Sequence, residues 1–166
     1  MNSARVEPKM VSVIIPSYNE AKNISRCLNS IFRQSYKNIE VILVDDASTD
    51  NTVSIAQGNT TNFKKTLKVI SQKNHQERGV TRNAGAKIAK GKYLLFIDAD
   101  MELNENVVSE CLKKIDSDSQ VKAVIIPEQS KGEGFWAKCR ILEKRCYLGD
   151  NRIEAARFFE TQSFWK

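Results

Sequence analysis

Apolar positions fall along the chain in two alternating patterns, short unbroken runs and helical stripes. Residues 11–15, apolar except for Ser12 and stopped by Pro16, predict a buried strand. Residues 39–44 predict a second strand that runs into Asp45 and Asp46, and residues 67–71 a third. Residues 93–97 predict a fourth that runs into Asp98, and residues 121–126 a fifth, stopped by Pro127. Between them, Ile24, Leu28, Ile31 and Phe32 share one face of a helix over residues 21–34, with Ser17 or Asn19 available as its cap. Ser48, Thr49 and Asp50 read as the start of a second helix that carries Ile55 and Ala56. Residues 79–90 predict a third, rich in small side chains, and residues 104–115 a fourth with Val107, Val108, Cys111, Leu112 and Ile115 on one stripe.

Strands alternating with helices predict an α/β fold, with a mostly parallel sheet flanked by helices and its central strands buried on both faces. Beyond residue 134 the alternation stops. Residues 135–148 and 152–159 predict helices, and residues 163–166 the beginning of a strand. The pattern thus divides the chain into a flexible N-terminal segment (1–10), an α/β domain (11–127) and a helical segment (128–166) that reads as incomplete. The polar, glycine-containing stretch over 128–134 predicts a flexible connection.

In an open α/β sheet, ligands sit at the carboxyl ends of the strands, near the switch in strand order. Pro16, Ser17, Tyr18, Asn19 and Glu20 follow the first strand, Asp45 and Asp46 the second, Asp98 and Asp100 the fourth. Carboxylates gathered on one rim repel unless a cation or hydrogen-bond donors neutralise them. A divalent metal bridging to a diphosphate is one solution. The first turn contains no glycine, so the GxGxxG dinucleotide fingerprint is absent, and no GxxxxGK[ST] phosphate loop occurs anywhere. The same turn is unlike the glycine-rich, basic turn that a sugar-nucleotide-forming nucleotidyltransferase needs. Plainer roles stand beside these: Asp98 and Asp100 as a strand end and a helix cap, Asp45 to Asp50 as a capped turn, Glu20 as a carboxylate at a helix N-terminus.

Four strings taken together resemble a known family. Residues 11–20, ending in Pro16, Ser17, Tyr18, Asn19 and Glu20, are similar to the opening of inverting family 2 glycosyltransferases of the GT-A fold, a Rossmann-like fold. Residues 41–50 around Asp45 and Asp46, residues 78–85 from Arg78 through Arg82 to Gly85, and residues 91–100 ending in Asp98 and Asp100 resemble the second, third and fourth motifs in order. The resemblance covers roughly residues 11–127 and implies a transferase that moves a sugar from a nucleoside-diphosphate donor, of uridine or guanosine type, with Mn²⁺ or Mg²⁺ as cofactor. It implies that Pro16, Tyr18 and Glu20 line the base and ribose pocket, and that Asp46, with Asp45, accepts from the base. It implies that Arg82 or Arg78 reaches the nucleotide, and that Asp98 faces the ribose and the water shell of the metal. Asp100 would ligate the metal. The family pattern also carries a downstream acidic general base in a glycine-rich context. Glu128, Glu133, Glu143, Asp150, Glu154 and Glu160 lack that context, so none is assigned. The expectation is a shortened form that binds donor and transfers weakly or not at all. The alternative is a catalytically incomplete nucleotide-sugar-binding module.

Composition narrows the partners. The net charge is +6 at pH 7, which suits phosphorylated ligands, an anionic membrane surface or a merely lysine-rich exterior. Nucleic acid is the weakest option, because acidic groups occupy the rim where a ligand would sit. A single histidine, His75, argues against a His/Cys zinc site, and the four cysteines, none in a CxxC pair, read as buried reduced thiols. No apolar run approaches the ~20 residues that span a bilayer, and the polar start lacks a signal-peptide core. The cytoplasm is the expected location. The basic and aromatic helix predicted over 135–148 adds peripheral contact at the inner membrane face, serving a lipid-linked acceptor, as an alternative to plain packing on the sheet. The expected acceptor is a sugar, a glycan or a lipid-linked molecule.

Overall fold

The computed structural model describes residues 9–58, 67–129, 134, 138, 139, 141, 142 and 155–165. Its core is a six-stranded sheet in the order β3-β2-β1-β4-β6-β5. The strands are β1 (Val11–Ser17), β2 (Ile39–Asp45), β3 (Leu67–Ser71), β4 (Tyr93–Phe96), β5 (Ala123–Val124) and β6 (Phe158–Glu160). The first four are mutually parallel, with Val11 opposite Ile39 on one side and Tyr93 on the other. β6 runs antiparallel to both β4 and β5. Pro16 does not end β1. Pairing with β4 stops at Ile14, so the missing N–H at Pro16 lies beyond that ladder and β1 continues to Ser17 along β2.

Alternation along the central strands feeds two cores. Val13, Ile15, Leu43, Tyr93 and Leu95 face α1 (Ile24–Phe32), α2 (Thr52–Gly58) and α4 (Val107–Ser117). Ile14, Ile42, Val44, Leu94 and Phe96 face α3 (Arg78–Ile88), which contributes Ala86. Strands covered on both faces must be apolar at nearly every position, and β1 and β2 are. Small residues let α3 lie close to the sheet. A Cβ built on Gly85 would stand 2.5 Å from Ile14 Cγ2 and 3.0 Å from Val44 Cγ2, both on stiff β-branched side chains. Gly85→Ala is therefore expected to destabilise the fold by about 1–2 kcal/mol despite the better helix propensity of alanine. A denaturant midpoint unchanged from wild type would contradict this packing.

Several expectations need correction. The first helix is shorter than residues 21–34. It starts at Ile24 with Asn23 at its cap and no side-chain cap bond, because a turn in which the Asn23 and Ile24 amides both donate to Glu20 O precedes it. Neither Ser17 nor Asn19 caps it. The fifth strand shrinks to Ala123–Val124, since its one partner, β6, is only three residues long. Residues 155–157 are not helical and Phe158–Glu160 is a strand. Phe158 belongs to one core and Phe159 packs against the other, a spacing of two rather than 3.6. Of the strand predicted over 163–166, Ser163 and Phe164 instead end a short helix, α5 (Thr161–Phe164), and Lys166 lies outside the described residues.

Because β6 sits between β4 and β5, this part of the 128–166 segment belongs to the same sheet as the residues before it. Cys27 and Cys111 are buried free thiols, as expected, but Cys139 is exposed. Residues 1–8, most of 128–134 and 135–148, residues 152–154 and Cys146 lie outside the described residues. Lys9 and Met10, from the expected flexible start, are tied down: Tyr36 Oη donates to Lys9 O at 2.6 Å, and Lys9 pairs with Asp116. Among the described residues no helix is long and apolar enough to cross a membrane.

Candidate functional site

Parallel β1 and β4 leave the sheet centre in opposite directions of chain order, so their carboxyl ends open a crevice at the switch point. A cavity of about 820 Å³ occupies it. Pro16, Tyr18 and Glu20 line it from β1, Asp46 from β2, Arg78 from α3, and Asp98 and Asp100 from the turn after β4. Seven of the nine residues expected from the sequence thus share one cavity. Asp45 and Arg82 do not line it.

The β1 and β2 ends are locked to each other. Asp46 N–H donates to Ser17 O at 2.8 Å, Asn19 N–H to Ser48 Oγ at 2.9 Å, and Thr49 N–H to Asn19 Oδ1 at 2.8 Å. Ala21 N–H donates to Asp50 Oδ2 at 3.1 Å while Asp50 Oδ1 accepts from Thr52 N–H at 2.9 Å, so Asp50 is a turn and cap residue. The Thr52 hydroxyl bond holds the Asp50 carboxyl below its ordinary range. Asn19 and Ala47 adopt left-handed φ values of 54° and 61°. Asparagine tolerates this, whereas for alanine it stores strain that the surrounding bonds must hold. Asp45 is buried, and its Oδ2 accepts Ser48 N–H at 3.3 Å. It shapes the turn that presents Asp46.

Asp98 stands between two arginines. Arg82 Nη2 lies 2.7 Å from its Oδ1 and Arg157 Nη2 lies 3.2 Å from its Oδ2. Burial pushes the carboxyl upward, but the Arg82 hydrogen bond and the charges of Arg157 and Arg82 outweigh it, so the group is held below its usual range. Arg157 also binds Glu128, its Nε lying 2.5 Å from Oε1. A smaller cavity of about 270 Å³ lies beyond this network, lined by Arg82, Asn83, Phe96, Arg157, Phe159 and Phe164. Beneath the acidic turn, Cys27 Sγ approaches Asp98 O at 3.8 Å. Burial above all, helped by Asp100 and Asp98, pushes its thiol up to about 12, which leaves it protonated and inert.

Asp100 differs from Asp98. It is exposed at the cavity edge and has no hydrogen bond or ion pair among the described residues. No group of three or more His, Cys, Asp or Glu side chains converges there to hold a metal among the described residues. A carboxylate without a partner among the described residues still suits a hard cation, which takes one or two carboxylates and draws its other ligands from phosphate and water. Asp98 fits that task less well, because both of its oxygens already face guanidinium groups.

His75, Gln76, Glu77 and Thr81 also line the cavity and were not among the site residues expected from the sequence. Gln76 N–H donates to Asp46 Oδ1 at 2.9 Å, tying the β3–α3 connection to the rim. His75 Nδ1 lies 2.9 Å from Asp46 Oδ2, and its ring packs on Tyr18 with centroids 4.2 Å apart. Thr81 completes that wall. Arg157, which touches Asp98 from the far side, was also missed. His75, Gln76 and Arg157 lie outside the four motif strings and reach the site through the course of connecting segments, whereas Thr81 lies within the 78–85 string on α3.

Comparison with known proteins agrees with this geometry. The family model for glycosyl transferase family 2 matches residues 12–165. The chain belongs to that family. It is 34% identical over 107 residues to glycosyltransferase GlyG of Streptococcus pneumoniae, an alignment covering 64% of this chain and 35% of GlyG. The crystal structure of S. aureus TarS in complex with UDP-GlcNAc superposes with a TM-score of 0.68 at 32% identity, covering 76% of this chain and 36% of that one. The mannosyltransferase PcManGT of Pyrobaculum calidifontis, in complex with GDP-Man and Mn²⁺, gives 0.67 at 28% identity, covering 74% and 37%. This chain therefore spans about a third of the length of these relatives. Its fold is the mostly parallel α/β arrangement of GT-A glycosyltransferases.

Proposed function

We propose that this family 2 chain binds a nucleoside-diphosphate sugar in the crevice at the ends of β1, β2 and β4, as the donor-side part of an inverting, metal-assisted glycosyltransferase. The observation that carries the reading is the shared cavity, which brings into one volume an exposed aromatic ring, a buried carboxylate, and an arginine and a carboxylate that have no ion pair among the described residues. Tyr18, 43% exposed, offers a face on which a base can stack. Asp46 offers an acceptor for a ring N–H, as uracil and guanine carry. Pro16 and Glu20 bound the base and ribose. Arg78 lines the cavity without a carboxylate partner among the described residues, which favours it over Arg82 for the phosphates. Asp98, ionised and fixed by its arginines, is suited to accept from ribose hydroxyls.

Asp100 would hold Mn²⁺ or Mg²⁺ against the diphosphate. When bound, the cation offsets the negative charge that builds on the departing nucleoside diphosphate. Inversion follows if one acceptor hydroxyl attacks in line. Residues 11–127 supply the donor face in this reading, and the segment over 128–166 borders the acceptor. In this reading the acceptor is a sugar, a glycan or a lipid-linked molecule. UDP-GlcNAc and GDP-Man in the related structures support a uridine or guanosine donor.

The test is a thermal-shift screen of UDP, GDP, CDP and ADP, each with Mn²⁺ and with chelator. A ligand that binds only the native state must raise its stability by mass action. UDP or GDP with Mn²⁺ is expected to raise the melting temperature, CDP and ADP much less. No shift with any diphosphate would end the proposal.

A further inference from the structure

Resting on the donor-site reading, one contact in the cavity is at odds with an open base pocket. Both oxygens of Asp46 are already engaged, Oδ1 by Gln76 N–H at 2.9 Å and Oδ2 by His75 Nδ1 at 2.9 Å. The Tyr18 face is also in use: the His75 ring lies over it, 4.2 Å away centroid to centroid and tilted by 34°. An imidazole and a nucleobase are both flat heteroaromatic rings that can stack on a phenol and give one ring N–H to a carboxylate. His75 makes both contacts at once. Its side chain is 59% exposed while that of Asp46 is 7% exposed, so the histidine has open solvent to turn into and the aspartate does not.

We propose that His75 is an internal competitor of the donor's base. It occupies the Tyr18 and Asp46 contacts in the free protein and must swing out before a base can take them. The exchange sets specificity as well as affinity. Uracil and guanine replace the lost imidazole N–H with a ring N–H of their own. Cytosine and adenine present a ring lone pair at the matching position, which a carboxylate repels. A base without the N–H therefore leaves His75 in place. A closed state of this kind lowers apparent affinity by the fraction of molecules that are open.

Calorimetric titration of wild type and His75→Ala with UDP, and separately with inorganic pyrophosphate, both with Mn²⁺, tests the inference. UDP is expected to bind the variant roughly three- to tenfold more tightly, by release of that closed fraction. Pyrophosphate, which has no base, is expected to bind both proteins equally. Equal or weaker UDP binding by the variant overturns the competitor role, the weaker case meaning that His75 supports the base instead. UDP and pyrophosphate both failing to bind wild type overturns this inference and the donor-site reading together. The single histidine of the chain supplies a second measurement. Its imidazole proton signals, shielded by the Tyr18 ring, are expected to shift towards those of a free imidazole as UDP saturates the protein. Saturation by UDP with those signals unmoved would likewise exclude displacement.

Discussion

An Asp100→Ala protein is expected to fold as wild type does and to lose the metal-dependent part of its stabilisation by UDP. The two halves of that expectation have separate causes. Asp100 is exposed and has no partner among the described residues, so truncating it removes no internal contact, and the change in fold stability should stay within about 0.5 kcal/mol. Binding is another matter. A ligand at a hundred times its Kd stabilises a protein by about 2.7 kcal/mol, which in a chain of this size moves the melting temperature by roughly 5–10 °C. If Asp100 is the side chain that holds the cation, the increment seen with Mn²⁺ over chelator should fall to near zero in the variant. Asp98→Asn should behave differently, because it disturbs two arginines at once and lowers stability even without ligand. Persistence of the full Mn²⁺ effect in Asp100→Ala would remove Asp100 from the metal site.

What could be read from the sequence was what period and strand position determine. β1, β2 and β4 are apolar at nearly every position because both of their faces are covered, and the short runs bounded by turn residues read as buried strands. Once the sheet is parallel, its carboxyl ends must face one side, and Tyr18, Asp46, Asp98 and Asp100 follow to a common rim. What could not be read depends on contacts between distant segments. Phe158 and Phe159 look like part of a helical stripe until β4 offers an edge, and pairing with that edge turns a spacing near four into a spacing of two. His75 gave no signal beyond its rarity. It reaches Asp46 because Gln76 N–H anchors the β3–α3 connection across the rim, a bond invisible to periodicity. Asp45 and Asp46 are neighbours in sequence with opposite fates, since β2 ends at Asp45 and the chain turns at Asp46, whose N–H donates to Ser17 O. Only Asp46 enters the cavity, while Asp45 holds the turn.

Arg157→Ala should be among the most destabilising single changes near the site, although no motif contains it. Its side chain is 19% exposed and bridges Asp98 and Glu128, themselves only 27% and 29% exposed. Removing the bridge takes from Asp98 one of its two guanidinium partners, leaving Arg82, and takes the Arg157 guanidinium from Glu128. Breaking a fully buried pair by deleting one partner costs about 3–5 kcal/mol. Solvent reaches this network in part, and screening reduces the expected loss to about 2–4 kcal/mol. The pH dependence should change in a defined direction. Asp98 ionises at lower pH in the folded chain than in the unfolded one, so its stabilising contribution is present at neutral pH and fades as pH falls below the ordinary carboxylate range through the folded value. Without Arg157 the folded value rises towards the unfolded one. The variant should therefore be less stable at pH 7 and lose less on acidification than wild type does. Arg157→Lys keeps the charge but not the fork that serves both carboxylates, and should recover only part of the difference. Urea midpoints of the three proteins measured from pH 7 down to pH 3 decide the matter: parallel curves would mean that Arg157 acts by packing alone, and convergence in acid that it works through Asp98.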